Sequence, residues 1–325
     1  MKVVVTDRSF ADLGVERGIL EEAGCTVVDV RSKDPAVLAA AVADADAVIT
    51  QFAPVNAGVI GAMNRAKAIV RYGIGVDNVD LEAARARGIP VCNVPDYCID
   101  EVADHTLAFI LALTRQVVPH SGAVHSGQWG LVGEVAGFRT LASMTVGVVG
   151  FGRIGRGVVR RLAAFGGRVL VSDPVASPSD VRAFGAVGAT LDQILAESDL
   201  ITLHCPSLPE TRGMIDDAAL ARAKRGVLVV NLSRGDLVDP GALVAALESG
   251  QVGGAALDVF SPEPIPAGHA ILGRPNVILA PHVASVSPAA VQRLRTTAAE
   301  LALAAAHDRP LPSIVNGVTA PRKPS

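Results

Sequence analysis

Several features that mark particular classes of protein are scarce in this chain. Only four of its 325 residues are cysteines (Cys25, Cys92, Cys98 and Cys205), and none has the CxxC or CxxH spacing of a zinc site. Lys plus Arg number 29 against 32 Asp plus Glu, so the basic excess typical of nucleic-acid or anionic-membrane binding is missing. No segment offers the roughly 20 unbroken apolar residues of a membrane span, and MKVVVTD reads as a strand rather than a signal peptide. These absences favour a cytoplasmic protein with reduced thiols, no metal, no nucleic-acid partner and no membrane partner.

Apolar residues make up half of the chain, and 32 residues are glycine. This composition suits a globular α/β protein of about two domains. From the N-terminus, short β-branched runs alternate with alanine-rich stretches of helical period. The strand-like runs are VVVT, TVVDV, AVIT, AIVRYG and PVCNV, and the helical stretches between them are residues 13–23, 35–42, 56–63 and 81–87. Strands that alternate with helices predict a parallel sheet covered on both faces.

Near residue 99 the pattern changes to DEVADHTLAFILALTRQVV (residues 100–118), which predicts one long helix connecting two domains. A second βαβ series then runs from MTVGVVG to VILAPHVAS, and a last helix is expected at about residues 288–307. If that helix packs back on the first sheet, the first domain is made from both ends of the chain. We therefore expect one domain of residues 1–98 plus 289–325 and another of residues 99–288.

The second series opens with a glycine pattern, TVGVVGFGRIGRGVVRRL, in which Gly150, Gly152 and Gly155 form GxGxxG between a strand and a helix. The first glycine permits a tight turn, the second lets the backbone approach a pyrophosphate, and the third lets helix and strand pack closely. Asp173 follows at the end of the next strand, where a carboxylate can accept from both ribose hydroxyls. The alternative is a glycine turn that serves packing alone. Because PVASPSD after Asp173 holds no Arg or Lys for a 2′-phosphate, NAD is favoured over NADP.

Three later strand ends each carry one ionisable side chain: LVVNLSRGDLVD has Arg234, AALDVFSPEP has Glu263, and VILAPHVAS has His282. Ligands bind beyond the carboxyl ends of strands in open α/β sheets. Arg234 can hold a carboxylate with two parallel hydrogen bonds, although an ion pair with Asp236 or Asp239 is an equal alternative. His282, after a proline, suits a general acid.

Glu263, between two prolines, suits the partner of that imidazole, since a carboxylate on one ring nitrogen fixes the tautomer and favours the protonated ring. Its alternative is a loop acid that faces water. Asp258 either holds the carboxamide side of a nicotinamide or caps its loop. The other histidines lie on expected helices or loops and do not directly follow a proline at a strand end as His282 does; they are His105, His120, His125, His204, His269 and His307.

These motifs together resemble the D-isomer-specific 2-hydroxyacid dehydrogenase family, in the branch related to the C-terminal-binding-protein corepressors and to phosphoglycerate dehydrogenase. The resemblance covers nearly the whole chain, in RYGIGVDNVD, PDYCIDEVADHT, GVVGFGRIG, NLSRGDLVD, LDVFSPEP and APHVAS. It implies a discontinuous flavodoxin-like substrate domain, a Rossmann domain that binds NAD, and an active site in the cleft between them. It also implies a homodimer, with residues 119–140 at the interface.

The resemblance further implies roles for individual residues. Arg234 would clamp the substrate carboxylate, and Glu263 with His282 would form the acid/base pair. The expected cofactor-binding residues are Gly150, Gly152, Arg153, Ile154, Gly155, Asp173, Thr106, His204, Cys205, Pro206, Thr211, Leu232, Asp258 and His282. The expected substrate-binding residues are Gln51, Phe52, Tyr72, Gly73, Ile74, Gly75, Arg234 and His282. For Thr106 the alternative is a plain helix residue.

The chain also departs from relatives in that family. PHVASVSPAA lacks the tryptophan that follows the histidine in the corepressors, which disfavours a corepressor. VITQFAPV lacks the arginine with which the phosphoglycerate branch reads a phosphate, so Gln51 and Phe52 become the side-chain readers of a non-phosphorylated substrate. The formate branch has an amide where Glu263 stands. We therefore expect NAD-dependent reduction of a small 2-oxo acid; an NAD-sensing binding module and a phosphite-type dehydrogenase are the alternatives.

Overall fold

Two ranges of the chain, Met1–Tyr97 and the described residues from Ser287 onward, fold together as the first of two units. The remaining range, Cys98–Val286, forms the second unit. The computed structural model describes residues 1–319 and 322. The boundaries expected from the sequence, 98/99 and 288/289, lie one and two residues from these.

Short β-branched strands form the centre of the first unit. They are β1 (Lys2–Val5), β2 (Thr26–Asp29), β3 (Ala47–Thr50), β4 (Ile69–Arg71) and β5 (Val91–Cys92). All pair in parallel in the order β2-β1-β3-β4-β5. A parallel sheet is buried on both faces, which explains why β1 and β3 are almost continuously apolar. This strand order is that of flavodoxin-like folds, as the sequence predicted.

Five helices cover that sheet: α1 (Gly14–Glu22), α2 (Pro35–Val42), α3 (Ala57–Ala62), α4 (Leu81–Ala86) and the last helix of the chain, α12 (Pro288–Ala306). Four begin at side chains that accept a backbone N–H of the first turn, namely Asp34, Asn56, Asp80 and Ser287. Helix α12 packs on α1, β3 and β4, so the first unit contains both ends of the chain.

The segment after α12 also belongs to the first unit. Ile314 forms an antiparallel bridge with Cys92, and the side chain of Asn316 bonds the amide of Val91 and the carbonyl of Ile89. The side chain of Asn316 thus satisfies backbone hydrogen-bonding groups at the edge of the sheet, beside β5. PSIVNG is therefore an extension of this sheet rather than a domain of its own.

The second unit has seven parallel strands. They are β6 (Thr145–Val149), β7 (Arg168–Ser172), β8 (Val187–Gly188), β9 (Leu200–Leu203), β10 (Val227–Asn231), β11 (Val252–Leu257) and β12 (Val277–Leu279). Their order is β12-β11-β10-β9-β6-β7-β8. This is the Rossmann order with one added strand, and the order reverses between β6 and β9. Such a switch point opens a crevice at the carboxyl end of the sheet.

Helices flank this second sheet on both faces. They are α5 (Ile99–Thr114), α6 (Val117–His125), α7 (Arg153–Ala163), α8 (Pro178–Ala183), α9 (Leu191–Glu197), α10 (Asp217–Arg222) and α11 (Pro240–Ser249). A buried core of aliphatic side chains lies between the sheet and helices α9, α10 and α11. The α/β class with a flavodoxin-like unit and a Rossmann unit is confirmed.

The prediction of a single long helix over residues 100–118 is wrong, because the structure has two helices there. The chain breaks at Gln116, whose φ of 54° lies in the left-handed region, and resumes as α6. A helix cannot pass through that conformation. Helix α5 packs against α7, β10 and β11 and is part of the second unit rather than a separate connector.

Among the described residues, no single helix is long and apolar enough to cross a membrane. Helices α5 and α6 reach the required length and apolarity only as a pair, with a bend of 67° between them. Half of the residues of α5 are buried in the second unit.

Candidate active site

The carboxyl ends of β6, β7, β9, β10, β11 and β12 meet at one edge of the second sheet, because all seven strands run in parallel. The loops that leave this edge carry almost all of the residues predicted to bind cofactor and all three predicted catalytic side chains. The motifs that stand far apart in the sequence therefore face the same side of one unit.

The glycine pattern forms the turn between β6 and α7. Gly150 has a φ of 97°, and a Cβ there would lie 2.5 Å from the carbonyl carbon of His204. A Cβ on Gly155 would lie 2.1 Å from the carbonyl oxygen of Gly150. Only glycine fits at these two positions. Gly152, by contrast, has nothing within 4 Å of an added Cβ, so the backbone at the start of α7 faces open space into which a pyrophosphate fits.

Asp173 ends β7 beside this turn. One carboxylate oxygen accepts the amide of Phe151 at 2.7 Å, and the other accepts the amides of Val175 and Ala176 at 2.9 and 3.0 Å. The acid is therefore held by backbone from both neighbouring loops, at the position from which a carboxylate can accept ribose hydroxyls. Arg153 and Ile154 are the first two residues of α7 and flank the same turn.

His204 lies in a loop, as expected, and this loop directly follows β9, so the residue is at a strand end. Its backbone packs against the Gly150 turn, and Nε2 lies 2.9 Å from the hydroxyl of Thr202. Burial lowers the pKa of His204 to about 3, which makes the imidazole neutral at ordinary pH. His204 thus supports the glycine turn through its backbone.

The loop after His204 holds three further residues of the predicted cofactor set. The Sγ atom of Cys205 lies 3.7 Å from the Sδ atom of Met214, and burial raises the pKa of this thiol to about 11. Thr211 donates its hydroxyl to the carbonyl of Pro206 at 2.7 Å and thereby closes the loop. Leu232, just after β10, is buried.

Thr106 does not lie in a loop at this edge. It is buried in α5, and its hydroxyl donates to the carbonyl of Val102 at 2.7 Å, one turn earlier in the helix. A hydroxyl committed to its own helix has no exposed face for a pyrophosphate. The structure thus favours the alternative that the sequence left open, a plain helix residue, over a cofactor contact.

Glu263 and His282 are brought together by loops that leave β11 and β12. Oε2 of Glu263 lies 2.8 Å from Nδ1 of His282, and Oε1 accepts the amide of Phe260 at 2.9 Å. Burial acts to raise the pKa of Glu263, but these two hydrogen bonds outweigh it and lower the pKa below its ordinary range. The charge of Arg234 acts in the same direction. The alternative of a loop acid facing water is therefore disfavoured by the geometry.

Asp258 holds the backbone that carries His282. Its carboxylate is almost fully buried and accepts the amides of Val283 and Ala284 at 2.8 and 2.9 Å, while its own carbonyl accepts the amide of His282. His282 has a φ of 56°, a conformation that non-glycine residues rarely adopt without such support. Of the two roles predicted for Asp258, the structure shows the loop cap.

Arg234 lies on the turn after β10. Asn231 fixes this turn, since its side chain donates to the carbonyl of Arg234 at 2.8 Å and accepts the amide of Ser233 at 3.0 Å. The two acids offered as ion-pair partners have other partners. Asp236 accepts the hydroxyl of Ser207 at 2.6 Å, and Asp239 caps α11.

The Arg234 turn also packs on the Glu263 loop. A Cβ on Gly235 would lie 2.0 Å from the carbonyl carbon of Phe260, so backbone meets backbone there. Because the amide of Phe260 is a donor to Glu263, the supports of the arginine and of the acid/base pair are in direct contact. The sequence analysis did not single out Asn231 or Phe260; the signal for Asn231 was a polar residue that ends a strand of buried valines.

Two of the residues predicted to bind substrate, Gln51 and Tyr72, direct their side chains to partners within the first unit. The side-chain amide of Gln51 is buried and bonds both the amide and the hydroxyl of Ser9. Tyr72 is 1% exposed and donates its hydroxyl to Glu16 at 2.9 Å. Side-chain contacts of Gln51 and Tyr72 with a substrate are therefore disfavoured, because both groups are committed to internal partners.

Phe52, in contrast, is 40% exposed at the carboxyl edge of the first sheet. Lys33 and Arg71 flank its ring, with Nζ and Cζ at 5.8 and 5.7 Å from the centroid. The guanidinium of Arg71 also lies over Gly73, where a Cβ would approach Nη1 to 1.7 Å. The exposed aromatic ring thus lies between two cations.

The 73–75 turn (Gly73, Ile74 and Gly75) follows β4. The amide of Gly73 donates to the carbonyl of Arg71, so it is not available to a carboxylate. Within the part of the chain that the structure describes, the amides of Ile74 and Gly75 have no acceptor. Of the three residues of this turn, all predicted to bind substrate, Ile74 and Gly75 therefore offer backbone amides that can bind an anion. No group of three or more His, Cys, Asp or Glu side chains among residues 1–319 and 322 is arranged to hold a metal ion.

Comparison with known proteins places this geometry in a family. Residues 107–284 match the NAD binding domain of the D-isomer specific 2-hydroxyacid dehydrogenases. The TT0316 protein from Thermus thermophilus is 36% identical, with a TM-score of 0.87 over 97% of this chain and 100% of that one. D-Lactate dehydrogenase from Aquifex aeolicus, solved with NAD and lactic acid, is 29% identical, with a TM-score of 0.84 over 94% and 95% of the two chains.

A curated relative, D-3-phosphoglycerate dehydrogenase from Rattus norvegicus, is 39% identical over 278 residues, which are 85% of this chain and 52% of the relative. The chain therefore spans about half the length of the curated relatives that it matches. The glycine turn with Asp173 fits the NAD that the matching domain binds. The chain belongs to the D-isomer specific 2-hydroxyacid dehydrogenase family.

Proposed function

We propose that this protein is an NAD-dependent dehydrogenase that interconverts a small 2-oxo acid and the corresponding 2-hydroxy acid. The observation that carries the proposal is the 2.8 Å bond between Nδ1 of His282 and Oε2 of Glu263, at the same sheet edge as the glycine turn. Carbonyl reduction requires a proton donor beside a hydride donor, and the second unit provides a place for both.

In the proposed reaction, bound NADH supplies the hydride that is added to C2. His282 donates a proton from Nε2 to the carbonyl oxygen, which becomes the hydroxyl group. Glu263 holds Nδ1, fixes the ring tautomer and stabilises the positive charge on the ring until the proton is transferred. In the reverse direction His282 accepts that proton as a general base.

The substrate carboxylate is bound in this proposal by the guanidinium of Arg234, which offers paired donors in one plane. The free amides of Ile74 and Gly75 are proposed as further donors on the strength of the family resemblance. Asp258 and Asn231 do not touch the substrate; they support the backbones of His282 and Arg234. Fixed donors of this kind lower the barrier because they do not need to reorganise during the reaction.

The preference for NAD over NADP also belongs to the proposal. Asp173 lies where the ribose hydroxyls of the adenosine half would bind, and its carboxylate would repel a 2′-phosphate. Both oxygens are already oriented by backbone amides, so the acid cannot easily turn away.

Activity measurements on the purified chain test the function. NADH oxidation is followed with glyoxylate, pyruvate and hydroxypyruvate, and NADH formation is followed with phosphite. We expect turnover with at least one 2-oxo acid, and a loss of roughly 100-fold or more in kcat for His282→Ala with NADH binding retained. The matched control is His307→Ala, at the exposed C-terminus of α12.

Near wild-type turnover of His282→Ala would show that the acid/base assignment is incorrect. Tight NADH binding without turnover of any 2-oxo acid would instead indicate an NAD-sensing module. Reduction of NAD by phosphite would identify the phosphite-type alternative.

A second substrate class is favoured by one observation, the two cations beside the exposed Phe52 ring. Lys33 and Arg71 give this edge of the first unit a positive charge without any arginine in the loop of Phe52 itself. A substrate with a distal carboxylate or phosphate would be attracted there. Adding 2-oxoglutarate and phosphohydroxypyruvate to the substrate panel separates this class from small uncharged side chains.

We also propose a cytoplasmic homodimer. Trp129 is 93% exposed, and other apolar side chains of residues 117–135 are exposed with it, namely Val117, Val118, Val124, Leu131 and Val135. Exposed apolar side chains gathered in one segment of the chain are typical of an interface. A solution mass of twice 33.3 kDa by light scattering is the expected result, and a monomer mass would contradict it.

A further inference from the structure

Glu16, on α1, is a carboxylate with no exposed surface in the first unit. Its Oε1 accepts the hydroxyl of Tyr72 at 2.9 Å and Nε of Arg295 at 2.9 Å, while Oε2 accepts Nη2 of Arg295 at 2.7 Å. A buried charge is tolerated only when it is paired and fully hydrogen-bonded, and here the pairing is bidentate.

The three residues come from three separate segments of the unit. Glu16 lies on α1, Tyr72 follows β4, and Arg295 lies on α12, 279 positions after Glu16. The Arg295 guanidinium also lies over the ring of Phe10, which meets the Tyr72 ring edge to face. Hydrogen bonds from Arg295 to Asp12 complete the enclosure of this group of side chains.

Tyr72 immediately precedes the 73–75 turn, whose free amides are proposed to bind the substrate carboxylate. Its amide donates to the carbonyl of Thr50 at 2.8 Å, so the residue is fixed by its backbone and by its hydroxyl. On the far side of the turn, the amide of Val94 donates to the carbonyl of Gly73, and the side chain of Asn93 donates to the carbonyl of Ile74. The turn is therefore held at both ends, while the amides of Ile74 and Gly75 take no part in these supports.

Helix packing alone does not require this arrangement. Apolar side chains would join α1 to α12 without the cost of burying a charge. A buried ionic network selects one geometry among several of similar packing, because any shift leaves a charged group without a partner. The residue whose geometry it selects here is the one from which the 73–75 turn begins.

We propose that Tyr72, Glu16 and Arg295 form a positioning triad that sets the 73–75 turn in the geometry required to bind a substrate carboxylate. The three side chains do not touch the substrate, so they are positioning residues. The inference rests on the proposed function for its substrate, but its structural part concerns the first unit alone.

The principal test is Tyr72→Phe, which removes one hydroxyl and leaves the ring in place. The expected result is a rise in KM for the 2-oxo acid of roughly five- to tenfold with kcat changed less than twofold, as for loss of a hydrogen bond to a charged acceptor. The proton donor and its partner lie in the second unit and are unaltered. Glu16→Gln should raise KM further in the same sense.

The matched control is Glu21→Gln on the same helix. Glu21 pairs with Arg17 at the exposed surface, so its loss removes a carboxylate from α1 without touching the triad. We expect KM and kcat of this variant to equal those of the wild type.

A second readout does not depend on turnover. Hydrogen–deuterium exchange of peptides that contain the amides of Tyr72 and Val94 reports on the two supports of the turn. Faster exchange in Tyr72→Phe than in Glu21→Gln is expected. Unchanged exchange, or a lowered melting temperature with KM and exchange unaltered, would show that the triad only stabilises the core and would overturn the proposal. If the wild type reduces no 2-oxo acid, the proposed function fails, while the exchange rates still decide whether the triad positions the turn.

Discussion

The carboxyl edges of the two sheets are built in opposite ways. At the edge of the second sheet, Arg234 and His282 are partly buried and Glu263 is exposed. The side chains of Asn231 and Asp258 hold the backbones of Arg234 and His282 in place. At the edge of the first sheet, Gln51 and Tyr72 turn inward to Ser9 and Glu16. The second edge therefore presents the charged side chains proposed to act on the substrate, whereas the first presents backbone amides and the exposed Phe52 ring with Lys33 and Arg71 beside it.

The supports of the two edges differ as well. In the second unit, loops touch directly, as where Gly235 meets the backbone of Phe260. In the first unit, a network of buried side chains centred on Glu16 connects distant segments. A contact between backbones tolerates no added atom, while a side-chain network tolerates the loss of one hydrogen bond with a graded effect. Substitutions in the two units should accordingly differ in severity.

The largest effect is expected for Gly235→Ala. The added methyl group would lie 2.0 Å from the carbonyl carbon of Phe260, so the Arg234 turn and the Glu263 loop must move apart. Such overpacking costs about 1–3 kcal/mol of unfolding free energy. Because both supports of the catalytic groups are displaced, we expect kcat/KM for the 2-oxo acid to fall by roughly 100-fold or more. Steady-state kinetics with thermal unfolding measures both quantities.

Gly188→Ala is the control for that experiment, since an added Cβ there meets nothing within 4 Å and the residue lies on β8 of the same sheet. It should leave kcat/KM unchanged. Equal activity of the two variants would mean that the contact between the Arg234 turn and the Glu263 loop has no part in placing the catalytic groups.

A smaller but specific effect is expected for Glu263→Gln. The amide preserves the shape but carries no negative charge to stabilise a protonated His282, so kcat should fall by about 10- to 100-fold. Substrate affinity depends on Arg234 and should change little. The control is Glu248→Gln. This substitution removes a carboxylate from an ion pair with Arg274 in the same unit, and kcat and KM should not change.

The same variant changes the dependence of stability on pH. Hydrogen bonds from His282 and Phe260 hold the pKa of Glu263 below its ordinary value of 4.5 in the folded protein, against the effect of burial. A carboxyl group with a lowered folded pKa stabilises the native state above its unfolded pKa, and that contribution disappears as the pH falls through the folded pKa. The melting-temperature difference between the wild type and Glu263→Gln should be constant above pH 4.5 and shrink on acidification. A difference that grows as the pH falls would contradict the assignment.

The comparison of the two edges also explains what the sequence could predict. The sequence could predict the fold type of each unit, the glycine turn and the proximity of Glu263 to His282. These features depend on short motifs at strand ends, and parallel strands bring such ends together. Gly150 and Asp173 belong to the single βαβ unit made by β6, α7 and β7, and Glu263 is 19 positions from His282. Residues this close in the sequence have a spatial relation that the local fold determines, so their pattern can be recognised from the sequence.

The first edge depends on partners that no local pattern connects. Gln51 meets Ser9 across 42 positions, Tyr72 meets Glu16 across 56, and Glu16 meets Arg295 across 279. A polar residue after a strand looks the same in the sequence whether it faces a ligand or a buried partner. The predictions of substrate binding by Gln51 and Tyr72 carry that ambiguity, and Thr106 shows it again on a helix, where its hydroxyl bonds the preceding turn.

The smallest effect on activity is expected for Gln51→Ala, and it tests the first edge directly. The substitution removes hydrogen bonds to the amide and hydroxyl of Ser9, so the loop after β1 loses about 1–2 kcal/mol of stabilisation. Because the amide group does not face the substrate, KM should change less than twofold while the melting temperature falls by a few degrees.

Phe52→Ala, at the neighbouring position, provides the contrast. Its ring is exposed between Lys33 and Arg71, so removing it should alter the relative KM values of the 2-oxo acids with little change in melting temperature. Substitution of Phe52 would thus change substrate preference, whereas substitution of Gln51 would change stability. If Gln51→Ala instead raised KM more than about fivefold at unchanged stability, the Gln51 side chain of the wild type would have to leave Ser9 and contact the substrate. The first edge would then resemble the second in presenting polar side chains to the substrate.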